Sequence, residues 1–150
     1  MRVYLYRHLV TFDETNLVGN VYFAHYLHWQ GHCRERFLAD HAPGVLAAVA
    51  TGELALVTVS CAMDYFAECY AMDHVEVEMT LAGRGGNRIE MDFRFRRGDA
   101  IVGAGRQTVA CMARSGERLV ATPVPAELAA ALDEYGWSAE GRRSPDRSLA

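Results

Sequence analysis

Three observations predict an α+β fold in which a curved antiparallel sheet wraps one long helix. From Tyr22 to about Asp40 the apolar residues Tyr22, Tyr26, Trp29, Cys33 and Phe37 recur at three- and four-residue spacing, the period of an amphipathic helix. His74 to Leu81 and Arg88 to Arg96 alternate apolar and polar residues, the period of strands with one wet face. Glycine-centred reversals separate the later segments, so the strands return on one another as hairpins.

Taken in order, Val3 to Phe12 is rich in Val, Tyr and Leu and predicts a first strand, ended by the polar stretch Asp13-Glu14-Thr15-Asn16. A turn then starts the long helix, whose stripe is widened by Phe23, Leu27 and Leu38. Ala42-Pro43-Gly44 stops it, and Val45 to Gly52 supplies a short Ala-rich helix. Leu54 to Phe66 is a long apolar run that predicts a central strand. The next strand places Val75, Val77, Met79 and Leu81 on one face. Gly83-Arg84-Gly85-Gly86-Asn87 turns the chain into a strand that faces Ile89, Met91, Phe93 and Phe95 inward. Gly98-Asp99 and Ser115-Gly116-Glu117 mark further reversals, into Ala100–Ala113 and Arg118–Thr122. Pro125 opens a closing helix from Ala126 to Tyr135, stopped by Gly136. One domain over 1–137 is expected, with 138–150 as a flexible tail because it has little to bury.

Composition narrows the functional classes. The 150 residues are 51% hydrophobic and 23% charged, enough for one domain with a real core. A net charge of -4 gives no global basic field, so neither nucleic acid nor an anionic membrane surface is an expected partner. The start, Met1 to His8, lacks the apolar run of a leader, and no stretch reaches the 18 apolar residues of a span; a cytoplasmic protein is expected. Cys33, Cys61, Cys69 and Cys111 are scattered without zinc spacing and are expected as buried free thiols.

Chemistry concentrates in Asn16-Leu17-Val18-Gly19-Asn20-Val21-Tyr22-Phe23, where a polar residue and a glycine turn feed into the long helix. The first-turn N–H groups of a helix lack internal partners and carry partial positive charge, so they suit a developing oxyanion. An acyl-transfer site is the reading that follows. By itself Asn16 is also an ordinary turn residue, Tyr26 falls in the packing stripe, and Arg34 is equally suited to an ion pair with Glu35 or Glu68. Glu35 lies opposite the apolar stripe, which favours a solvated or interface role.

The element order resembles the hotdog fold, and Asn16 to Phe23 resembles the signature of its 4-hydroxybenzoyl-CoA-thioesterase-like branch. In that signature an acidic residue is followed, after two intervening positions, by Gly, here Gly19, and then by a short apolar and aromatic segment into the helix. Asn16 stands where the branch has Asp, which removes the carboxylate nucleophile or base. Asn16 together with Tyr26 and Arg34 in Tyr26-Leu27-His28-Trp29-Gln30-Gly31-His32-Cys33-Arg34-Glu35 resembles the thioesterases that accompany enediyne polyketide synthases. The resemblance implies a homotetramer of hotdog dimers that hydrolyses a polyene β-ketoacyl thioester from the acyl carrier protein domain of an iterative synthase, with carbon dioxide lost afterwards. It implies no cofactor. It further implies that the Phe23 backbone N–H binds the thioester carbonyl, Asn16 orients the attacking water, Arg34 steadies developing negative charge, and Tyr26 and Gly19 contact substrate. Without a carboxylate base, turnover is expected to be slow.

Rival readings exist for other motifs. His25, His28 and His32 share a helix face at metal-ligand spacing, with Glu35 as a fourth candidate, yet no Cys or Asp is positioned to join them; an interface or polar face is expected, not a metal. Gly83 to Asn87 lacks the following helix of a phosphate cradle and is expected as a turn, with Arg84 and Arg88 left to meet acidic groups of a carrier protein. His41-Ala42-Pro43-Gly44-Val45-Leu46 resembles a dehydratase segment but follows the central helix instead of leading into it. An acyl-CoA thioesterase of primary metabolism and a non-catalytic acyl-binding hotdog protein are the alternatives.

Overall fold

The long helix is held in place by its apolar side. In the computed structural model, which describes residues 2–136, helix α1 spans Ala24–His41 and buries Tyr26, Trp29, Cys33, Phe37 and Leu38. It begins two residues later than the stripe predicts. Tyr22 and Phe23 therefore precede it and are exposed, at 45% and 56%, rather than packed in the stripe. Ala42 ends α1, and α2, Pro43–Thr51, starts on Pro43. The Glu127 carboxylate accepts the Gly44 N–H at 2.9 Å and the Val45 N–H at 3.3 Å, satisfying donors that the first turn leaves open.

Six antiparallel strands form the sheet: β1 Tyr4–Leu9, β2 Leu54–Tyr65, β3 His74–Gly85, β4 Arg88–Arg97, β5 Ala100–Ser115 and β6 Arg118–Ala121. Their order is β1-β3-β4-β5-β2, with β6 paired to β5. The β3–β4 hairpin matches Val77 with Phe95 and Met79 with Phe93, so the alternating apolar sets share the inner face. Val75, Val77, Met79, Ile89, Met91, Phe93 and Phe95 are all buried against the helix. The Phe95 ring meets Tyr26 edge-on at 5.8 Å. Helix α3, Ala126–Asp133, closes one end through Leu128 and Leu132.

Two expectations are corrected. The Leu54–Tyr65 strand is not central; it is the edge strand, hydrogen-bonded to β5 alone, and Val57 and Val59 are each 44% exposed. The strands also do not stack wholly in chain order, because β2 crosses to the far side of β5 and leaves β3 beside β1. An apolar run signals burial by something, and here that covering is not supplied by the chain's own sheet. Of the four thiols, Cys33, Cys69 and Cys111 are buried, whereas Cys61 on β2 is exposed for the same reason. The predicted tail, 138–150, lies outside the described residues.

Close approach of α1 to the sheet depends on β5 glycines. A Cβ at Gly105 would sit 1.9 Å from Gln30 Nε2 and 2.9 Å from the Ala62 carbonyl oxygen. The buried Gln30 amide donates to that same carbonyl at 3.3 Å, so the helix rests where β5 has no side chain.

Candidate active site

The segment between β1 and α1 is stitched closed. A 3-10 turn, Phe12–Glu14, leads to a tight turn in which the Gly19 N–H donates to the Asn16 carbonyl at 2.9 Å. Gly19 has φ +95, a left-handed value that favours glycine. The Asn16 N–H donates to the Asn20 carbonyl at 2.7 Å, and Thr15 and Val21 form a bridge behind it. The exposed Asn16 amide Nδ2 donates to Asn20 Oδ1 at 3.1 Å, and Asn20 Nδ2 donates to Glu68 at 3.0 Å. Asn20 also bridges to Tyr70.

Phe23 is the N-cap of α1, with φ -53 and ψ -33, so its N–H is one of the four that helix geometry leaves unpaired. Its carbonyl accepts the Tyr65 hydroxyl at 2.8 Å, which anchors the helix start to β2. The Tyr22 ring lies 4.6 Å from that of Phe23, and Leu17, Val18, Tyr22 and Phe23 in this segment and Tyr65, Phe66 and Tyr70 at and after the end of β2 are exposed apolar side chains. The Phe23 N–H and the Asn16 amide thus share one short segment at an apolar surface.

Arg34 sits elsewhere. Eleven residues of helix, a rise of about 16 Å, separate it from Phe23. Its Nη1 donates to Gln107 Oε1 on β5 at 2.9 Å rather than to Glu35 or Glu68, and among the described residues its buried Nε has no hydrogen-bond partner. Burial pulls its pKa down, while the Glu35 charge pushes it back up. Beside it, Phe37, Leu38, Leu56, Ile89, Met91 and Val109 help line an interior cavity of about 10 Å³. That is room for about one water. Tyr26 is buried at 2% exposure; burial and a hydrogen bond with Cys69 raise its hydroxyl pKa, and its ring lies 5.1 Å from Tyr65. Within one protomer, then, Asn16, Gly19 and Phe23 share one segment, Tyr26 is buried about one helical turn further on, and Arg34 stands apart.

The polar residue that sequence reasoning passed over is Glu14. It is 7% exposed, and its carboxylate accepts the Trp29 indole N–H at 2.7 Å and the Thr11 N–H at 3.0 Å. His8 Nε2 lies 2.7 Å from it. Burial alone would raise its pKa, but the hydrogen bonds from His8, Thr11 and Trp29 outweigh this and hold it at about 2. The spacing Thr11-x-x-Glu14 ahead of an apolar helix was the available signal, since it is that of a capping box.

The three helix histidines part company: the His25 and His28 rings meet at 5.3 Å, whereas His32 lies 6.1 Å from Tyr6 and 6.4 Å from His8. Among the described residues no three His, Cys, Asp or Glu groups are arranged to hold a metal ion. Arg84 is engaged by Asp133 at 2.8 and 2.6 Å, and Gly83 and Gly85 belong to β3, so the reversal itself is confined to Gly86-Asn87. No helix among the described residues is long and apolar enough to cross a membrane.

A curled antiparallel sheet around one long helix is the architecture of the hotdog class, and the chain is a thioester hydrolase of that class. The chain belongs to the thioesterase-like superfamily, which matches residues 10–132. It is similar to the dynemicin thioesterase, whose crystal structures concern induced-fit and allosteric effects upon polyene binding: 60% identity, TM-score 0.88, over 92% of this chain and 100% of that one. A 1,4-dihydroxy-2-naphthoyl-CoA hydrolase of Prochlorococcus marinus (strain MIT 9211) is 28% identical over 107 residues, 67% of this chain and 70% of the relative. The 1,4-dihydroxy-2-naphthoyl-CoA thioesterase from Synechocystis shares the fold at 20% identity and a TM-score of 0.79, over 89% of this chain and 97% of that one.

Proposed function

We propose that the protein hydrolyses a polyene β-ketoacyl thioester carried on the acyl carrier protein domain of an iterative enediyne polyketide synthase. The observation that carries this reading is the joining of an open helix N-terminus at Phe23 to the Asn16 turn on an apolar surface, in a chain so similar to a polyene-binding thioesterase. The thioester carbonyl oxygen accepts from the Phe23 N–H, and the Asn16 side chain orients water toward the carbonyl carbon. Water adds, the C–S bond breaks, and the thiolate leaves on the carrier arm. The released β-keto acid then loses carbon dioxide to give a methyl ketone. Since no carboxylate stands at position 16, water is only weakly activated and turnover is slow.

Arg34 has a part only in an assembly. The β-keto oxygen lies two carbons from the thioester carbonyl, whereas about 16 Å of helix separates Phe23 from Arg34 in one chain. We assign the Arg34 contact to a second copy, within a homotetramer of hotdog dimers in which apolar edge strand β2 is covered. Tyr26 and Gly19 shape the floor and turn of the substrate surface. The protein acts in the cytoplasm beside the synthase.

The deciding measurement is thiol release from one β-ketoacyl chain presented on carrier protein and on CoA, with Asn16→Ala and Arg34→Ala beside the parent. Release that prefers carrier protein and drops in both variants is expected. Preference for CoA would favour the alternative of a primary-metabolic acyl-CoA thioesterase, which the similarity to the 1,4-dihydroxy-2-naphthoyl-CoA hydrolase supports.

A further inference from the structure

Glu14 joins four parts of the chain: strand β1, the Thr11 turn, the Tyr22 segment and helix α1. Its Oε1 accepts the Thr11 N–H at 3.0 Å and the Thr11 hydroxyl at 3.2 Å, and lies 2.7 Å from His8 Nε2 on β1. Its Oε2 accepts the Trp29 indole N–H at 2.7 Å, fastening it to the second turn of α1, with His25 Nδ1 at 3.9 Å. Its backbone carbonyl accepts the Tyr22 N–H at 2.9 Å. His8 is itself held through Nδ1 by the Tyr6 hydroxyl at 2.9 Å.

The consequence is positional. Residues 15–21 form a closed excursion whose two ends meet at the Glu14 carbonyl and the Tyr22 N–H, one residue before Phe23. Both functional groups proposed above hang from this clasp: Asn16 within the excursion and the Phe23 N–H just past it. Among the described residues the exposed Asn16 side chain bonds to Asn20 alone, so its placement against the helix is inherited from the clasp. A carboxylate already shared among Thr11, Trp29 and His8, and held at about 2, makes a poor proton acceptor but a firm anchor.

We infer that Glu14 is a positioning residue for thioester hydrolysis, its side chain fixing the Asn16 amide and the Phe23 N–H in the mutual geometry that the reaction requires. The inference rests on the reading of Asn16 and Phe23 given above. Displacing a reacting group by about 1 Å costs roughly 100-fold in rate without comparable loss of binding, which sets the scale of the effect.

The test is a double-mutant cycle in thiol release from β-ketoacyl carrier protein and from a simple acyl-CoA, using Glu14→Gln, Asn16→Ala and the pair. Glu14→Gln is expected to lower kcat roughly 10- to 100-fold with KM within about twofold. Adding it to Asn16→Ala is expected to cost less than about twofold more, because a group that acts through Asn16 has nothing left to position. Trp29→Phe, which keeps the ring bulk and removes the indole donor, should reproduce the kcat loss and the same non-additivity if Glu14→Gln folds poorly. Full additivity, or loss in KM alone, would overturn the inference. If Asn16→Ala is slow and Glu14→Gln is not, only the Glu14 inference fails; if Asn16→Ala keeps the parent rate, the site reading fails and takes the inference with it.

Discussion

Arg34 and Gln107 hold each other across the space between helix α1 and strand β5, with Nη1 donating to Oε1 at 2.9 Å and the guanidinium Nε buried without a partner among the described residues. A half-buried cation whose enclosed Nε has no partner among the described residues is poorly compensated. Gln107→Leu is expected to destabilise the protein by about 2 kcal/mol in urea unfolding, since the charge then loses its acceptor. Arg34→Met combined with Gln107→Leu is expected to regain most of that loss while thiol release stays low. Equal stability of Gln107→Leu and the parent would show that the bond contributes nothing.

A site shared between copies predicts complementation. Asn16→Ala and Arg34→Ala homo-oligomers should each be nearly inactive. After unfolding and refolding together, half of the dimers are mixed and each carries one intact composite site, so about a quarter of the parent activity should return. Recovery of none would place Asn16 and Arg34 in the service of one chain, or of different steps.

Glu14 also sets an acid limit on stability. Its pKa is about 2 in the folded protein against an ordinary 4.5, so the folded state binds its proton less readily than the unfolded one. The resulting stabilisation is complete above about pH 4.5 and is lost as pH falls toward 2; it amounts to about 3 kcal/mol. Unfolding free energies measured between pH 7 and pH 2.5 should therefore fall less steeply for Glu14→Gln than for the parent. Parallel curves would remove Glu14 as the source.

Two glycines should respond oppositely to alanine. At Gly105 the new methyl group would stand 1.9 Å from Gln30 Nε2 and 2.9 Å from the Ala62 carbonyl oxygen, so Gly105→Ala is expected to destabilise by about 2 kcal/mol or more. At Gly31, inside α1, nothing lies within 4 Å of the added carbon, and Gly31→Ala should stabilise by up to about 1 kcal/mol. Thermal unfolding of both variants checks the pair, and destabilisation by Gly31→Ala would indicate that this helix face is covered by another copy.

Elements whose signals are local were legible from residue order. The α1 stripe, the β3–β4 alternation and the Gly86 reversal each depend on spacing within a dozen residues, and the structure repeats them with small shifts at their ends. The Asn16 turn and the open helix start at Phe23 belong to the same class. Glu14 escaped notice because it stands in a polar run, Asp13 to Asn16, where a charged residue ordinarily faces water.

The sequence by itself determined the α+β class, the antiparallel hairpins and the position of the long helix, since periodicity and turn chemistry are properties of neighbouring residues. Only the tertiary structure decided that β2 lies at the sheet edge beside β5, that Arg34 meets Gln107 instead of Glu35 or Glu68, and that His8, Thr11, Tyr22 and Trp29 close around Glu14. Those outcomes depend on which distant segments share the limited space around one helix, and a polar group's partner is set by that packing rather than by its place in the chain.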